Sequence, residues 1–411
     1  MIEFEGASVI VTRRVDEALE FLLLHRVGYP KDSSDWSWTP TGGARERNET
    51  PLACAVRELT EESGLVADRA PTLVHSAPGW YFYHLEVDRQ CSIQIDLSEH
   101  DEYRWSKLDE TLALVNPAVV TEAMAITYAA ATGRSLHDST PLTDVGAILF
   151  DLDGTLLRND QGASERTRTV LSRVEAMGIL PVLVTARPPL ALDSAVREIG
   201  IAPLAVCLNG AMVFDCARGE VVSEAVMDPA TVREVIAVIR HQIPDTVLGV
   251  YSGLGMKRDA GFRPSWPEPP QTQVLAMSGY SGKSATTLLA RNPAFTPAAF
   301  LERLNETVGD LVNVTTSSRT GLVEMTSNGV GKAETAFEIT ANHGISPIQT
   351  LAFGDMPTDY DMIRRAGYGV AVANAHPSVL EVCDLVTLSN ESDGVAFALE
   401  CLIPKLTQET E

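Results

Sequence analysis

Long hydrophobic runs are missing from this 411-residue chain. No stretch approaches the ~18–20 apolar residues that span a bilayer, so a membrane-embedded protein is not expected. Cysteine is sparse and dispersed. The six residues, Cys54, Cys91, Cys207, Cys216, Cys383 and Cys401, form no CxxC pair, which argues against a zinc site or a disulfide framework. Positive charge is scarce as well: 32 Lys and Arg stand against 55 Asp and Glu, so the net charge is 32 − 55 = −23. A general nucleic-acid surface grips phosphate backbones with Lys and Arg, and this balance disfavours one. Phosphate-bearing small molecules remain open, because a divalent ion can stand between carboxylates and phosphates. The opening residues, MIEFEGASVIVTRR, are too polar for a secretory signal, and a cytoplasmic protein is expected. Internal repeats and low-complexity tracts are absent too.

The length fits two or three domains of ~100–200 residues each. Apolar runs at 8–12 and 20–26 and the extended segments TLVHS and WYFYHLEV read as strands. The stretch PAVVTEAMAITYAAA reads as a helix closing a first region, 1–131. Residues 132–144, TGRSLHDSTPLTD, are polar and turn-rich and read as a linker. The texture then changes. VGAILF, ILPVLVTA, LAVCLNG, TLAFGD and YGVAVAN are nearly continuous apolar runs, as expected of parallel strands buried on both faces. Helical patterns separate them. In SERTRTVLSRVEAMG, Val170, Leu171, Val174 and Met177 recur at helical spacing. The reading for 145–411 is an α/β doubly wound parallel sheet, with core segments 145–212 and 321–411 and a Gly- and Pro-rich insertion at about 213–320.

Two clusters of acid stand out. On a helix starting near Pro51, Glu58, Glu61 and Glu62 are related by i+3 and i+4 steps and share one face, while Leu52, Val56 and Leu59 fall on another. Three crowded carboxylates repel one another, and a hard cation such as Mg²⁺ or Mn²⁺ is the natural remedy. A solvated acidic face is the plainer alternative. In the second cluster, Asp151 and Asp153 directly follow an apolar strand and Gly154-Thr155 turns the chain. Ligands of open α/β sheets sit at the carboxyl ends of the strands, and aspartates there carry a desolvation cost unless a metal or phosphate engages them.

The first cluster lies in a longer pattern: Gly43, five residues, Glu49, seven residues, then Arg57-Glu58-Leu59-Thr60-Glu61-Glu62-Ser63-Gly64-Leu65. It resembles the whole signature of the Nudix hydrolases, over about residues 1–131. The resemblance implies an α/β/α sandwich and metal-dependent attack of water on a nucleoside diphosphate linked to another group. Glu58, Glu61 and Glu62 would ligate the metals, one of them or a further carboxylate would activate the water, and Arg57 and Glu49 would orient the glutamates. LSEHDEYRWSKLDETLAL offers Glu99 and Glu102 as that further carboxylate. Trp36, Trp80 and Tyr81 can stack a base or serve as core.

The second cluster, DLDGT, resembles the first motif of the haloacid dehalogenase superfamily, and three more follow in order: Thr185 in LVTARP, Lys332 in NGVGKAETAFEI, and Asp355 and Asp359 in GDMPTD. By this resemblance Asp151 attacks phosphorus, Asp153 serves as acid and base, and Thr185 and Lys332 bind phosphoryl oxygens. Mg²⁺ would be held by Asp151, the carbonyl of Asp153, and Asp355, with Asp359 orienting the shell or Lys332. LNGAMVF and VAVANA resemble the Cof-type branch, whose α/β cap covers the site; Asn209, Arg187 and Asn374 would touch substrate or order loops. Ala186 and Thr358 depart from the usual glycine and asparagine. In the insertion, Lys257, Arg258, Arg263 and Trp266 either read a ligand or are solvated.

The sequence therefore points to a bifunctional hydrolase using Mg²⁺, with Mn²⁺ as an alternative, in both parts. Its substrates would be small phosphorylated molecules, nucleotides or sugar phosphates. The Nudix part would leave a monophosphate and the second part would dephosphorylate a phosphomonoester. Two rival readings are a ligand-sensing Nudix domain that regulates the phosphatase, and an RNA 5′-end processing factor, which the negative charge disfavours.

Overall fold

A computed structural model describes residues 4–136, 139–280, 284–316 and 321–407. Two compact units divide the chain, Met1–Thr140 with Val372–Ser389, and Pro141–Ala371 with Asn390–Glu411.

The first region is built on strands β1 (Gly6–Val15), β2 (Ala18–Arg26), β3 (Trp38–Thr39) and β4 (Thr41–Ala44), helix α1 (Pro51–Ser63), strands β5 (Thr72–Ala77), β6 (Trp80–Val87) and β7 (His100–Ser106), and helices α2 (Leu108–Leu114) and α3 (Ala118–Thr132). The seven strands form one sheet with the order β3-β2-β1-β6-β5, β4 pairing with β1 and β7 with β2. β1 and β6 run parallel, in register from Gly6–Trp80 to Arg13–Val87. Ala7, Val9 and Val11 alternate inward on β1 and meet Cys54, Ala55 and Leu59 of α1. Leu59 is fully buried, worth roughly 1.5–3 kcal/mol. The start of α1 is fixed locally. The Thr50 hydroxyl accepts from the Ala53 N–H and Pro51 takes the first turn, where its missing N–H costs nothing. Gly64, at φ 68, closes the helix in the left-handed conformation that favours glycine.

The second region continues with β8 (Ala147–Phe150), α4 (Glu165–Ala176), β9 (Leu180–Val184), α5 (Asp193–Ile199), β10 (Leu204–Cys207), β11 (Met212–Asp215) and β12 (Glu220–Glu224). Next come α6 (Pro229–Gln242), β13 (Val247–Ser252), β14 (Gly255–Arg258), β15 (Gln273–Val274), β16 (Thr287–Arg291), α7 (Pro297–Val308), β17 (Asn313–Thr315) and β18 (Val323–Thr326). The chain ends with α8 (Lys332–Asn342), β19 (Thr350–Gly354), α9 (Tyr360–Arg365), β20 (Tyr368–Val372), α10 (Pro377–Leu380), β21 (Leu385–Thr387) and α11 (Gly394–Leu402).

Eight strands form a sheet ordered β12-β11-β10-β9-β8-β19-β20-β21. The central pairs β10–β9, β9–β8, β8–β19 and β19–β20 are parallel. β8 and β19 are buried at every residue, as strands covered on both faces must be. A doubly wound α/β architecture is therefore present.

A second, six-stranded sheet, ordered β15-β14-β13-β16-β18-β17, carries helices α6 and α7. Val232, Val235, Ile236 and Ile239 of α6 and Phe300, Leu304 and Val308 of α7 share its core with Leu248, Leu288 and Met325. The insertion differs from the expected 213–320 at both ends. β11 pairs antiparallel with β10 and β12 with β11, so both belong to the eight-stranded sheet, and the inserted sheet runs on through Val323–Thr326. Met177 also departs from expectation. It is the C-cap of α4 and 42% exposed, because Gly178 at φ 73 turns the chain there. Among the described residues no helix is long and apolar enough to cross a membrane.

Candidate active sites

In the first unit, α1 delivers its glutamates to a cavity of about 370 Å³ whose lining includes Glu58, Glu62, Glu99, His100, Arg26, Trp36 and Trp80. Glu62 is buried, and its carboxylate accepts from the Gly42 N–H at 2.7 Å. Burial pushes its carboxyl up to about 8; the Gly42 hydrogen bond opposes the rise, and Glu58 and Glu99 add to it. Burial also raises Glu58, against the pull of Arg57. Gly43 is required by this packing, since a Cβ there would lie 2.4 Å from the Glu58 carboxylate.

Arg57 is the organising cation. It donates to Glu49 at 2.8 and 3.1 Å, to Glu58 at 2.7 Å, to Glu61 at 2.9 Å and to the Ala44 carbonyl at 3.0 Å. The hydrogen bonds from Arg57 hold Glu49 down at about 2. Glu61 leans out toward Arg57 with 57% of its side chain exposed, so the three helix glutamates are not gathered on one point.

The further carboxylate of the cavity is Glu99. Glu102 is not: it accepts from Lys31 at 2.6 Å, away from the lining. Glu99 precedes β7 and Glu102 pairs opposite His25 within it, and positions three apart on an extended chain face opposite sides. The aromatics also separate. Trp36 and Trp80 line the cavity, whereas Tyr81 packs edge-on against Phe4 at 5.7 Å. Trp36 holds a left-handed φ of 64, unusual for a bulky residue, and its N–H donates to the Asn116 carbonyl at 2.9 Å. Trp80 donates from its indole to Ser8 at 3.0 Å.

Arg26 and His100 escaped the sequence reading. His100 Nε2 lies 3.8 Å from Glu62 Oε1, and burial lowers its imidazole to about 4. A histidine between acids in LSEHDEYRW was the available signal. Glu58, Glu62 and Glu99, turned on one pocket with a carboxyl that burial makes costly to ionise, are the oxygen donors Mg²⁺ or Mn²⁺ takes.

In the second unit the motif residues converge at the carboxyl ends of the central strands. Asp151 follows β8, Thr185 follows β9, Asp355 follows β19, and Lys332 opens α8. Lys332 is buried and donates from Nζ to Asp151 at 2.5 Å and Asp359 at 2.8 Å. Asp359 also accepts from the N–H groups of Asp355 and Met356 at 3.1 and 3.0 Å. Thr155 donates to Asp355 at 2.9 Å, a role the sequence reading left out. Gly154, at φ 82, brings the backbone so close that a Cβ would lie 2.7 Å from Asp355 Oδ2.

Burial raises the Asp151 carboxyl, as do Asp359 and Asp355, against the pull of Lys332. Burial disfavours the Lys332 ammonium, but Asp151 and Asp359 outweigh it and raise its pKa. The ligating oxygens of Asp151, Asp355 and Asp359 lie within 4.8 Å of one another, the one such group among the described residues. Asp359 already serves Lys332 and two N–H groups, so Asp151 and Asp355, which accept from Lys332 and Thr155, are the donors that fit a hard divalent cation.

Asp153 is exposed and clamped by Arg187 at 2.8 and 2.5 Å. Burial of its surroundings pushes its carboxyl up, but Arg187 overrides this and lowers it. Gln161 meets the same guanidinium and was not foreseen. Thr185 is buried, and its hydroxyl accepts from the Arg187 N–H at 3.1 Å. Asn209 donates to Glu324 at 2.8 Å, and Asn374 sits in the half-buried turn after β20. The insertion's four candidates face other partners. Lys257 sits 5.5 Å over the Tyr280 ring, Arg258 pairs with Glu268 at 2.8 Å, Arg263 donates to the Ala260 and Phe262 carbonyls, and Trp266 donates to the Tyr251 hydroxyl at 2.7 Å.

Comparison with known proteins gives two family matches. A profile described as haloacid dehalogenase-like hydrolase matches residues 148–399, and one described as NUDIX domain matches residues 4–125. Among curated proteins, a 5-amino-6-(5-phospho-D-ribitylamino)uracil phosphatase of Bacillus subtilis is 25% identical over 265 residues, 62% of this chain and 95% of its own. An HMP-PP phosphatase of Cronobacter sakazakii is 26% identical, covering 56% of this chain and 85% of its own. Among solved structures, a haloacid dehalogenase-like hydrolase from Bacteroides thetaiotaomicron superposes with a TM-score of 0.53 at 24% identity, covering 62% of this chain and 98% of that one.

Proposed function

The chain belongs to the haloacid dehalogenase-like hydrolases and carries a NUDIX domain ahead of that part, and on this premise we propose a bifunctional, Mg²⁺-dependent hydrolase of phosphoanhydrides and phosphomonoesters. The observation that carries the phosphatase half is the buried Lys332 bridging Asp151 and Asp359. A cation placed there opposes the rise that burial gives the nucleophilic carboxylate and leaves one further N–H donor for a phosphoryl oxygen. Mg²⁺ held by Asp151, the Asp153 carbonyl and Asp355 would neutralise charge on the bound phosphate.

Asp151 attacks phosphorus and the alkoxide leaves, giving an aspartyl phosphate. Asp153 gives the leaving oxygen its proton, then takes one from the water that releases phosphate. Arg187 holds Asp153 in the ionised form, which suits the second step. For the first, the guanidinium must yield so that Asp153 can carry a proton. Thr185 and Lys332 receive the phosphoryl oxygens.

In the first unit, Glu58, Glu62 and Glu99 would hold metal over a pyrophosphate, with Trp36 and Trp80 as stacking surfaces for a base. Bound metal supplies an activated water. Arg57 keeps Glu58 and Glu61 oriented. The product is a nucleoside monophosphate or another phosphomonoester.

A paired screen tests this reading. Nucleoside triphosphates, dinucleotides, sugar nucleotides and simple phosphomonoesters are incubated with Mg²⁺ or with EDTA, and pyrophosphate-bond cleavage is resolved from orthophosphate release. Asp151→Asn should abolish orthophosphate release from monoesters and spare anhydride cleavage, and Glu62→Gln should do the reverse. If either substitution abolishes both activities, or EDTA leaves either intact, the proposal is wrong.

A further inference from the structure

The loop between β2 and β3, residues 27–37, brings Trp36 to the cavity of the first site. Trp36 is 39% exposed, so packing does little to place its ring, and its left-handed φ is one that bulky residues avoid. The loop backbone must hold it. Ser37, the next residue, is fully buried; its carbonyl accepts from the Arg26 N–H at 3.0 Å, and its hydroxyl donates across the loop to the Pro30 carbonyl. That carbonyl has a second neighbour. Nε2 of His25, a buried residue of β2, lies 3.3 Å from it. The other ring nitrogen, Nδ1, lies 2.6 Å from Asp101 of β7. A carbonyl and a carboxylate only accept, so the ring satisfies both with a hydrogen on each nitrogen. The ring also packs against Trp38, with centroids 4.9 Å apart. Neither His25 nor Asp101 lines the cavity.

We propose that His25 is a positioning residue of the first site: by holding the Pro30 carbonyl it fixes the loop that presents Trp36 to a substrate base. This rests on the anhydride-hydrolase reading given above. The order of contacts is short. Asp101 aims the imidazole, the imidazole and the Ser37 hydroxyl share one carbonyl, and Ser37 is bonded to Trp36. Without His25 the carbonyl keeps only the Ser37 donor. Trp36, in a backbone conformation it does not favour and with little packing of its own, is then no longer held in one place. A base must order the indole as it binds, and that cost weakens binding of the ground state and the transition state alike. The loss therefore falls on KM and spares kcat.

The test is a double-substitution cycle on the full chain with Mg²⁺, using ATP, ADP-ribose and diadenosine tetraphosphate. His25→Phe keeps a flat ring against Trp38 and leaves no buried charge behind, since the Asp101 side chain is half-exposed and has Lys31 at 4.0 Å. For each compound that is cleaved, His25→Phe should raise KM by ~3- to 10-fold, part of what a base–aromatic stack contributes, with kcat within about 2-fold of the parent. Trp36→Ala should raise KM at least as much. Adding His25→Phe to Trp36→Ala should change KM no further, because the histidine acts only through the indole. Asp101→Ala removes the group that aims the ring; it should raise KM in the same direction, and it takes the place of the phenylalanine variant in the cycle if that variant fails to fold. A penalty that persists in the Trp36→Ala background, a fall in kcat in place of a rise in KM, or an unchanged KM overturns the inference and leaves the hydrolase standing. No cleavage of any of the three compounds overturns the anhydride reading for base-bearing substrates and the inference with it.

Discussion

Glu62 gives the sharpest handle on the first site. Burial lifts its carboxyl from 4.5 to about 8. Between those values the folded chain keeps a proton that the unfolded chain has released. The folded state thus binds more protons, and stability falls as pH rises through the window, by ~1.4 kcal/mol per pH unit. At pH 7 the accumulated cost is ~3.4 kcal/mol; above about 8 it grows no further. Glutamine keeps the shape and the acceptor for the Gly42 N–H but has no charge to lose. Glu62→Gln should therefore stabilise the metal-free first unit by ~2–3 kcal/mol at pH 7, roughly 5–10 °C in its melting temperature.

The measurement is differential scanning calorimetry of the full chain in EDTA at half-unit pH steps from 5 to 9, following the transition that the substitution moves. The gain should be small at pH 5, rise to pH 8 and then level. Added Mg²⁺ should narrow or reverse it, because only the carboxylate repays its ionisation by binding a cation. A substitution that destabilises in EDTA, or whose effect is flat across the range, refutes the argument that burial without a counter-charge dominates at Glu62.

Three further outcomes follow from the same geometry. Lys332→Met leaves Asp151 and Asp359 buried without their cation, so denaturant titration of the second unit should show a loss of ~3–5 kcal/mol near neutral pH. The loss should shrink on acidification as the raised Asp151 carboxyl protonates, and phosphomonoester cleavage should disappear. Gly43→Ala drives a methyl into the Glu58 carboxylate at 2.4 Å; because Arg57 pins that carboxylate, anhydride cleavage should drop at least ~10-fold with monoester cleavage unchanged, as steady-state assays of both will tell. Arg187→Gln removes the largest of the groups that lower Asp153, so the alkaline limb of the phosphatase kcat/KM profile, which needs Asp153 protonated for the first step, should move to higher pH; an unmoved limb denies Arg187 control of that carboxyl.

Much of both sites was legible because it rests on short-range spacing. Glu58, Glu61 and Glu62 share a helix face by the 3.6-residue period alone, and Asp151 and Asp355 sit at strand ends because nearly continuous apolar runs announce buried parallel strands. Residues whose position depends on distant pairing were not legible. Glu99 and Glu102 are equal candidates by residue type, and the pairing of β7 with β2 sets which one meets the cavity and which meets Lys31. β11 and β12 look like part of the insertion, since nothing local records that β11 pairs onto β10 and β12 onto β11. The bond between Asn209 and Glu324 spans 115 residues, and the left-handed φ that aims it has no signal beyond Asn-Gly, which reads as an ordinary turn.

The two sites meet the same difficulty, buried carboxylates, in different ways. In the second unit the protein supplies the counter-charge. Lys332 sets one positive charge between Asp151 and Asp359, and Asp359 spends its remaining oxygen on two backbone N–H groups, so the geometry is fixed before any cation arrives and little reorganisation is left for the reaction. In the first unit Arg57 is spent on Glu49, Glu58 and Glu61, and Glu62 has one N–H and the weak pull of Arg26 against its burial. A proton is then the cheapest neutraliser, and any incoming metal must displace it. Cation binding at the first site would thereby be coupled to proton release; at the second, Lys332 opposes the rise that burial gives Asp151. A single chain thus holds one phosphate site organised by its own lysine and another whose charge balance is completed only when the metal comes.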